Sequence, residues 1–105
     1  MMETRQREPR IRMPKLLAFA EGQDCTVRHP AHCSGRNIVA SHYNWMDAGK
    51  GKGMKCHDFF VAYACDGCHR FLDDAAAAPM DERKLWWLRG HLRTLYLLVK
   101  EGILK

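Results

Sequence analysis

The sequence has no apolar run long enough to cross a membrane. A transmembrane helix needs about 20 consecutive apolar residues, and no stretch of this 105-residue chain approaches that length. Residues 1–15 are rich in arginine and lack the apolar segment of a secretory signal peptide. We therefore predict a protein that has no membrane anchor and works in the reducing cytoplasm.

Three further absences narrow the class of protein. The cysteine count of five is odd, and the expected compartment disfavours disulfides, so a complete disulfide framework does not fit. Residues 47–55 contain three glycines and three lysines, but they lack the Gly-x-x-x-x-Gly-Lys-Ser/Thr pattern of a P-loop and are predicted to form a loop. No internal repeat is present, which excludes a repeat architecture. The length of 105 residues predicts one domain with a modest hydrophobic core.

Acidic residues are fewer than basic ones. The chain has 17 lysines and arginines against 12 aspartates and glutamates, which gives a formal net charge of +5. Such an excess favours a polyanionic partner, since lysine and arginine gain affinity for phosphates by releasing counterions. The candidates for contact with a DNA backbone are Arg10, Arg12, Lys50, Lys52 and Lys55. A plain solvated surface is the alternative for each group.

The chain does have a cysteine and histidine cluster, which begins at Cys65 and ends at His69. The Cys-x-x-Cys pair carries Gly67 in its turn, so both thiolates can point to one side. Zinc requires four ligands in a tetrahedron, and Cys25 with Cys33 completes that number. We predict a structural zinc that adds stability to the small core. The alternatives are a redox Cys-x-x-Cys and a disulfide framework, and both fit these residues less well than zinc does.

The local patterns predict a short set of elements. One or two helical turns are expected at residues 16–19, and a strand at residues 38–42 that ends in Ser41-His42. A second strand is expected over the β-prone run of Phe59, Phe60, Val61 and Tyr63, which leads into Cys65. A helix should then run from Cys68 through the four alanines to its stop at Pro79, and Asp81 should cap the next helix.

The last helix carries an apolar stripe with steps of three and four residues. Its members are Leu85, Leu88, Leu92, Leu95 and Val99. We predict that this stripe packs on the zinc domain. The residues Trp86, Trp87, Leu97 and Leu98 widen the apolar surface, which makes a homodimer contact through this helix a second hypothesis.

The order of features resembles a known architecture. A knuckle, a strand ending in histidine, a loop, a second strand, Cys-x-x-Cys and a helix are the parts of the ββα-metal (HNH, His-Me finger) nucleases on a treble-clef zinc scaffold. The resemblance narrows to the YbcO-type family of small phage and prophage nucleases over residues 22–74. The residues that carry it are Asp24-Cys25, Cys33, Ala40-Ser41-His42, the glycine-rich loop, Asp58 and the run from Ala64 to His69.

This resemblance implies an α+β fold, in which a small treble-clef zinc domain contains a ββα-metal unit and is followed by a long C-terminal helix. Residues 1–21 would form a basic N-terminal segment that is partly flexible, residues 22–78 the nuclease-like core, and residues 79–105 a helix packed on it. The implied function is metal-dependent endonuclease activity on DNA, in phage recombination or DNA processing in the cytoplasm of a bacterial host.

The resemblance also assigns roles to residues. His42 stands where the general base should be, and Asp58 is expected to orient it. His69 and Asp73 would hold a catalytic Mg²⁺ or Mn²⁺ ion. The alternatives are that His69 is a fourth zinc ligand or a helix cap, that Asp74 replaces Asp73, and that Asp58 is only a turn residue.

Two departures from the superfamily pattern leave a second function open. Ser41 stands where many members have an aspartate or histidine ligand before the catalytic histidine, and the middle asparagine of HNH is missing. A non-catalytic zinc module that binds DNA or a protein is therefore the alternative to a nuclease. A thiol redox protein is the third hypothesis.

Overall fold

The computed structural model describes residues 9–45 and 56–104, within which three helices flank a two-stranded antiparallel sheet. The elements are α1 (Pro14–Ala18), β1 (Val39–His42), β2 (Val61–Ala64), α2 (Asp66–Asp73) and α3 (Met80–Lys100). The predicted α+β class with a long C-terminal helix is confirmed. The predicted contact residues Lys50, Lys52 and Lys55 lie outside the described residues. None of the described helices is long and apolar enough to cross a membrane.

The sheet is a hairpin whose first strand ends where the sequence predicted. Val39 pairs with Ala64, and His42 pairs with Val61. All four residues of β2 are buried because the strand is covered on both faces. Ala62 and Ala64 face the cysteine side of the core, whereas Val61 and Tyr63 face α1 and the end of α3.

Helix α2 is shorter than predicted. Cys65 caps its N-terminus, since the Cys65 Sγ atom accepts a hydrogen bond from the Cys68 amide at 3.3 Å. The helix ends at Asp73, and the four alanines lie outside it. Asp74 adopts an extended backbone and its carboxylate accepts the Ala76 amide at 2.9 Å, which favours a turn over a further helical turn. The predicted helix through the alanines is therefore wrong.

The start of α3 also differs from the prediction. Pro79 occupies the N-cap position, and no side chain caps the helix there. Asp81 lies in the first turn instead of at the cap, where its charge still favours the helix dipole.

Helix α3 packs on β2 through a face that contains small and polar residues. The buried positions are Arg83, Trp87, Gly90, Thr94 and Leu98. A Cβ atom at Gly90 would lie 2.7 Å from Val27 Cγ2, so the missing side chain lets the helix approach the core. The Thr94 hydroxyl donates to Gly90 O at 2.8 Å and accepts the Tyr63 amide at 3.1 Å.

The predicted packing of the leucine stripe on the zinc domain is wrong. Four of its five members, Leu85, Leu88, Leu92 and Val99, are 47%, 46%, 57% and 61% exposed, and the fifth, Leu95, is half-buried. The face that contains Gly90 and Thr94 is buried in place of the leucine stripe. Its small residues let the helix backbone approach the sheet closely, which bulky leucines at these positions would prevent. Trp87 and Leu98, which were expected to widen the apolar surface, are buried in the core.

Candidate metal centre and histidine site

The four cysteines predicted to bind zinc come together in the structure. Cys25 and Cys33 lie in the loop before β1, Cys65 follows β2, and Cys68 lies in the first turn of α2. Their sulfur atoms all lie within 4.8 Å of one another, and Cys65 Sγ is 3.7 Å from Cys33 Sγ. A zinc–sulfur distance of about 2.3 Å gives a tetrahedral edge of about 3.8 Å. The sulfur positions therefore fit one tetrahedral metal ion.

Backbone amides point at these sulfurs. Such donors stabilise thiolates, which are the form that binds a metal. The donor and acceptor pairs are Arg28 N and Cys65 N to Cys25 Sγ (3.4 Å each), His29 N to Cys68 Sγ (3.4 Å), Ser34 N to Cys65 Sγ (3.2 Å) and Cys68 N to Cys65 Sγ (3.3 Å). The four cysteines can thus bind a metal such as zinc.

The thiols of Cys25 and Cys68 differ in pKa. A hydrogen bond from the Cys68 thiol lowers the pKa of Cys25 to about 4, although burial acts in the opposite direction. The same contact, together with burial, raises the pKa of Cys68. Burial would raise the pKa of Cys65, but hydrogen bonds from backbone amides, that of Cys68 among them, outweigh it and lower this pKa too.

Gly67 allows the two halves of the cysteine cluster to meet. A Cβ atom at this position would lie 2.0 Å from the carbonyl oxygen of His32. Asp66 ties the same two segments together, because its carboxylate accepts hydrogen bonds from the Ser34 hydroxyl and, at 3.0 Å, from Asn37 Nδ2. The first turn of α2 is thereby fixed against the loop that carries Cys33.

His42 lies beside Asp58, the residue predicted to orient it. The distance from His42 Nε2 to Asp58 Oδ1 is 3.5 Å, and Arg10 Nη2 donates to the same oxygen at 2.6 Å. The second carboxylate oxygen accepts the Met13 amide at 2.7 Å. Asp58 is held in place because residues 10–13 run along residues 56–58, where Asp58 N donates to Ile11 O at 3.0 Å. His42 is positioned by its pairing with Val61 in the sheet.

Asp58 stays ionised in this setting. Burial alone would raise its pKa, but the hydrogen bonds from Met13 and Arg10, with His42 nearby, hold the pKa below its ordinary value. An ionised carboxylate facing Nε2 favours the imidazole tautomer with a proton on that atom.

His42 lines an open cleft of about 760 Å³. The cleft lies between the end of α1, the turn after it and β1. Its polar lining comes from Glu21, Gln23, Asn37 and His42. The histidine is therefore accessible to a ligand from this side.

His69 and Asp73 also meet, but in a different cleft. His69 Nε2 lies 3.3 Å from Asp73 Oδ2, and both side chains are more than two-fifths exposed. Their cleft has a volume of about 620 Å³ and includes the carboxylates Asp66 and Asp74. It shares Asn37 and Val39 with the His42 cleft, so the two clefts are neighbours. Within residues 9–45 and 56–104, only the four cysteines gather three or more metal-binding side chains at one point.

Arg10 has a role that the sequence did not indicate. It was predicted to contact nucleic acid, but it pairs with Asp58 and donates from Nε to Cys56 O at 3.1 Å. The sequence separation of 48 positions between Arg10 and Asp58 leaves no local signal for this pairing. Arg12, the other predicted contact in this segment, is exposed.

Known proteins resemble this chain over most of its length. The family described as "Putative nuclease YbcO" matches residues 14–103. "Putative nuclease YbcO" of Escherichia coli (strain K12) and "Putative nuclease ybcO" of Enterobacteria phage 82 are each 33% identical over 101 residues, covering 89% of this chain and 99% of the relative. The solved "Structure of a putative bacteriophage protein from Escherichia coli str. K-12 substr. MG1655" has a TM-score of 0.65 and 27% identity, and the match covers 82% of this chain and 98% of that one.

Proposed function

Because this chain belongs to the YbcO family, as the sequence predicted, we propose that it is a metal-dependent endonuclease that hydrolyses DNA phosphodiester bonds. The observation that carries the proposal is the chain of contacts from Arg10 to Asp58 to His42 at the wall of an open cleft. The nuclease names of the relatives support the same reaction class.

His42 is the proposed general base. Asp58 holds its Nε2 proton, so Nδ1 can take a proton from the attacking water near neutral pH. Arg10 keeps Asp58 ionised and in place, and therefore acts as a positioning residue. The separation of 3.5 Å between His42 and Asp58 is long, but hydrogen bonds of this kind often tighten once substrate is bound.

His69 and Asp73 are the proposed holders of a catalytic Mg²⁺ or Mn²⁺ ion. They offer one imidazole nitrogen and one carboxylate in an open cleft, which suits an ion that keeps several of its waters. Such an ion supplies charge stabilisation to the phosphate and to the leaving oxygen. Asp66 and Asp74 add negative charge to the same cleft, so a cation is favoured there.

The cysteine cluster has a separate, structural role in this proposal. Zinc on the four cysteines would fix the Cys33 loop to the start of α2, and so set the position of His69 one residue after Cys68. The order β1, β2, α2, with His42 ending β1 and His69 in α2, supports a ββα-metal unit of the His-Me finger type on a treble-clef scaffold.

Positive charge near the clefts supports DNA as the substrate. Arg70 lines the His69 cleft, and Arg36 is exposed close to it on the loop before β1. The formal net charge of +5 adds long-range attraction for phosphates. Arg12 and the lysines of residues 50–55 remain proposed contacts, and phage recombination or DNA processing in a bacterial cytoplasm remains the proposed setting.

The decisive experiment is a cleavage assay on supercoiled, linear and branched DNA with Mg²⁺ or Mn²⁺. Loss of a general base reduces rates by about 100- to 10,000-fold, so we expect His42→Ala to lose nicking by that factor with unchanged zinc content. Asn44→Ala is the matched control, since Asn44 is an exposed residue two positions further along the chain. Equal cleavage by wild type and His42→Ala would remove His42 as the base.

A non-catalytic zinc module that binds DNA is the second candidate. Ser41 favours it, because this residue is only 1% exposed and replaces the acidic or histidine ligand of many superfamily members. This function predicts DNA binding that weakens steeply with salt and no turnover with either metal on any of the three substrates.

A further inference from the structure

Helix α3 has a buried face and an apolar outer face, and the described residues of the chain cover only the first. The buried face centres on Gly90 and Thr94, which pack against the sheet. At about 100° per residue, the exposed residues fall on the opposite side of the helix. They are Leu85, Leu88, Leu92, Tyr96 and Val99, between 46% and 70% exposed, and are called here the outer stripe.

The rest of the chain has few apolar side chains that could bury the outer stripe. The described residues leave it exposed. The segments outside the description, residues 1–8, 46–55 and 105, have only methionines as large apolar side chains, two in each of the first two segments, among charged residues and glycines. Five large apolar side chains in one continuous band are unusual on a surface that faces only water.

We propose that the outer stripe is the interface of a homodimer, formed by the outer stripe of a second copy of this chain. Its members follow one another at steps of three, four, four and three residues, close to the alternating three-and-four spacing of a seam between paired helices. From Leu85 to Val99 the seam is about 21 Å long. A two-fold axis near Leu92 would place the outer stripe of one copy against the outer stripe of the other. The same surface of the chain then forms both sides of the interface.

The charges beside the stripe select an antiparallel pairing. Asp81 and Glu82 lie in the first turn of α3, and Lys100 lies in the last. An antiparallel pair brings the acidic end of one helix to the basic end of the other, whereas a parallel pair would join like charges. The helix dipoles favour the same alignment.

The available area indicates a dimer of modest affinity. Five large side chains exposed to this degree offer on the order of 400 Å² per copy. With flanking residues a symmetric pair would bury on the order of 800–1,000 Å², at the lower limit of specific interfaces. We therefore expect reversible association in the micromolar range.

Sedimentation equilibrium on the zinc-loaded full chain, from about 1 µM to 1 mM, brackets that affinity. Wild type should pass from monomer to dimer over this range. Leu92→Glu should weaken association at least tenfold, because it places two carboxylates at the two-fold axis. Met80→Glu is the matched control: Met80 is 48% exposed on the same helix, but it is rotated by about 120° from Leu92, so this variant should associate as wild type does.

Circular dichroism and zinc content establish that each variant is folded. If Leu92→Glu does not fold, Tyr96→Glu decides, since Tyr96 is the most exposed member of the stripe at 70%. A wild-type monomer at every concentration overturns the proposal, as does a folded stripe variant that dimerises as tightly as wild type. The antiparallel alignment predicts that Glu82→Lys and Lys100→Glu each weaken the dimer and that combining them restores it. The proposal does not depend on nuclease activity.

Discussion

Replacing Gly67 by alanine should destabilise the cysteine cluster, although the higher helix propensity of alanine would by itself stabilise α2. Gly67 lies in the first turn of α2, where alanine is more favourable than glycine by about 0.5–1 kcal/mol. The new Cβ atom, however, would lie 2.0 Å from the His32 carbonyl oxygen. Real contacts of this kind do not fall below 3.0 Å, so the two backbones must separate by about 1 Å.

The size of the effect follows from what the clash displaces. Overpacking in a tight site costs about 1–3 kcal/mol or more, and the obstacle here is backbone, which cannot rotate away. After the propensity gain is subtracted, we expect a net loss of about 1–2 kcal/mol in the free energy of unfolding. His32 directly precedes Cys33, so zinc affinity should also fall, by about 10- to 100-fold.

Two measurements test this prediction. Urea unfolding of the zinc-loaded protein gives the free energy, and competition with a chromogenic chelator gives the zinc affinity. Gly102→Ala is the control, because Gly102 has φ +77° and, apart from its chain neighbours, no described residue has an atom within 4 Å of the place that a Cβ would take. It should cost about 1 kcal/mol through backbone strain alone and leave zinc binding unchanged. Unchanged or higher zinc affinity in Gly67→Ala would refute the proposed close approach.

Two further changes test the packing around β2. Gly90→Ala should lower the free energy of unfolding by about 1–2 kcal/mol in thermal melts despite its better helix propensity, because the added Cβ lies 2.7 Å from Val27 Cγ2 and 3.2 Å from Ala62 Cβ; a stabilised variant would contradict the tight packing. Burial raises the pKa of Tyr63 from 10.0 to about 12, so the folded state holds this proton more tightly than the unfolded chain does. The resulting stability is complete below pH 10 and is lost as the pH rises towards 12, by about 2–3 kcal/mol. The Tyr63→Phe variant should not lose this stability between pH 10 and 12. Equal losses of stability in wild type and variant would show that Tyr63 does not titrate this way.

Features set by neighbours along the chain could be predicted from the sequence. The Cys-x-x-Cys pair and its glycine form one turn, and the β-prone run before His42 ends where the strand ends. These signals need only a few adjacent residues, as does the motif that carries the family resemblance. The approach of Cys25 and Cys33 to that turn was predicted because zinc requires four ligands, although the chemistry does not specify their path.

Long-range contacts decided what the sequence could not. The end of α2 depends on Arg83, which donates from Nη1 to Leu72 O at 3.0 Å across 11 positions. The Arg10 and Asp58 pair joins two segments that share no local pattern. Neither contact leaves a period or a motif that could be recognised beforehand.

Helix α3 shows most clearly which features the sequence determines and which depend on the tertiary structure. The sequence by itself determined that α3 is a long helix with a regular leucine stripe, because periodicity fixes which side chains share a face. Only the tertiary structure decided which face is buried. Gly90 and Thr94 allow the helix backbone to approach β2 more closely than leucines would at these two positions, so close packing of small residues outweighed hydrophobicity and left Leu85, Leu88 and Leu92 at the surface.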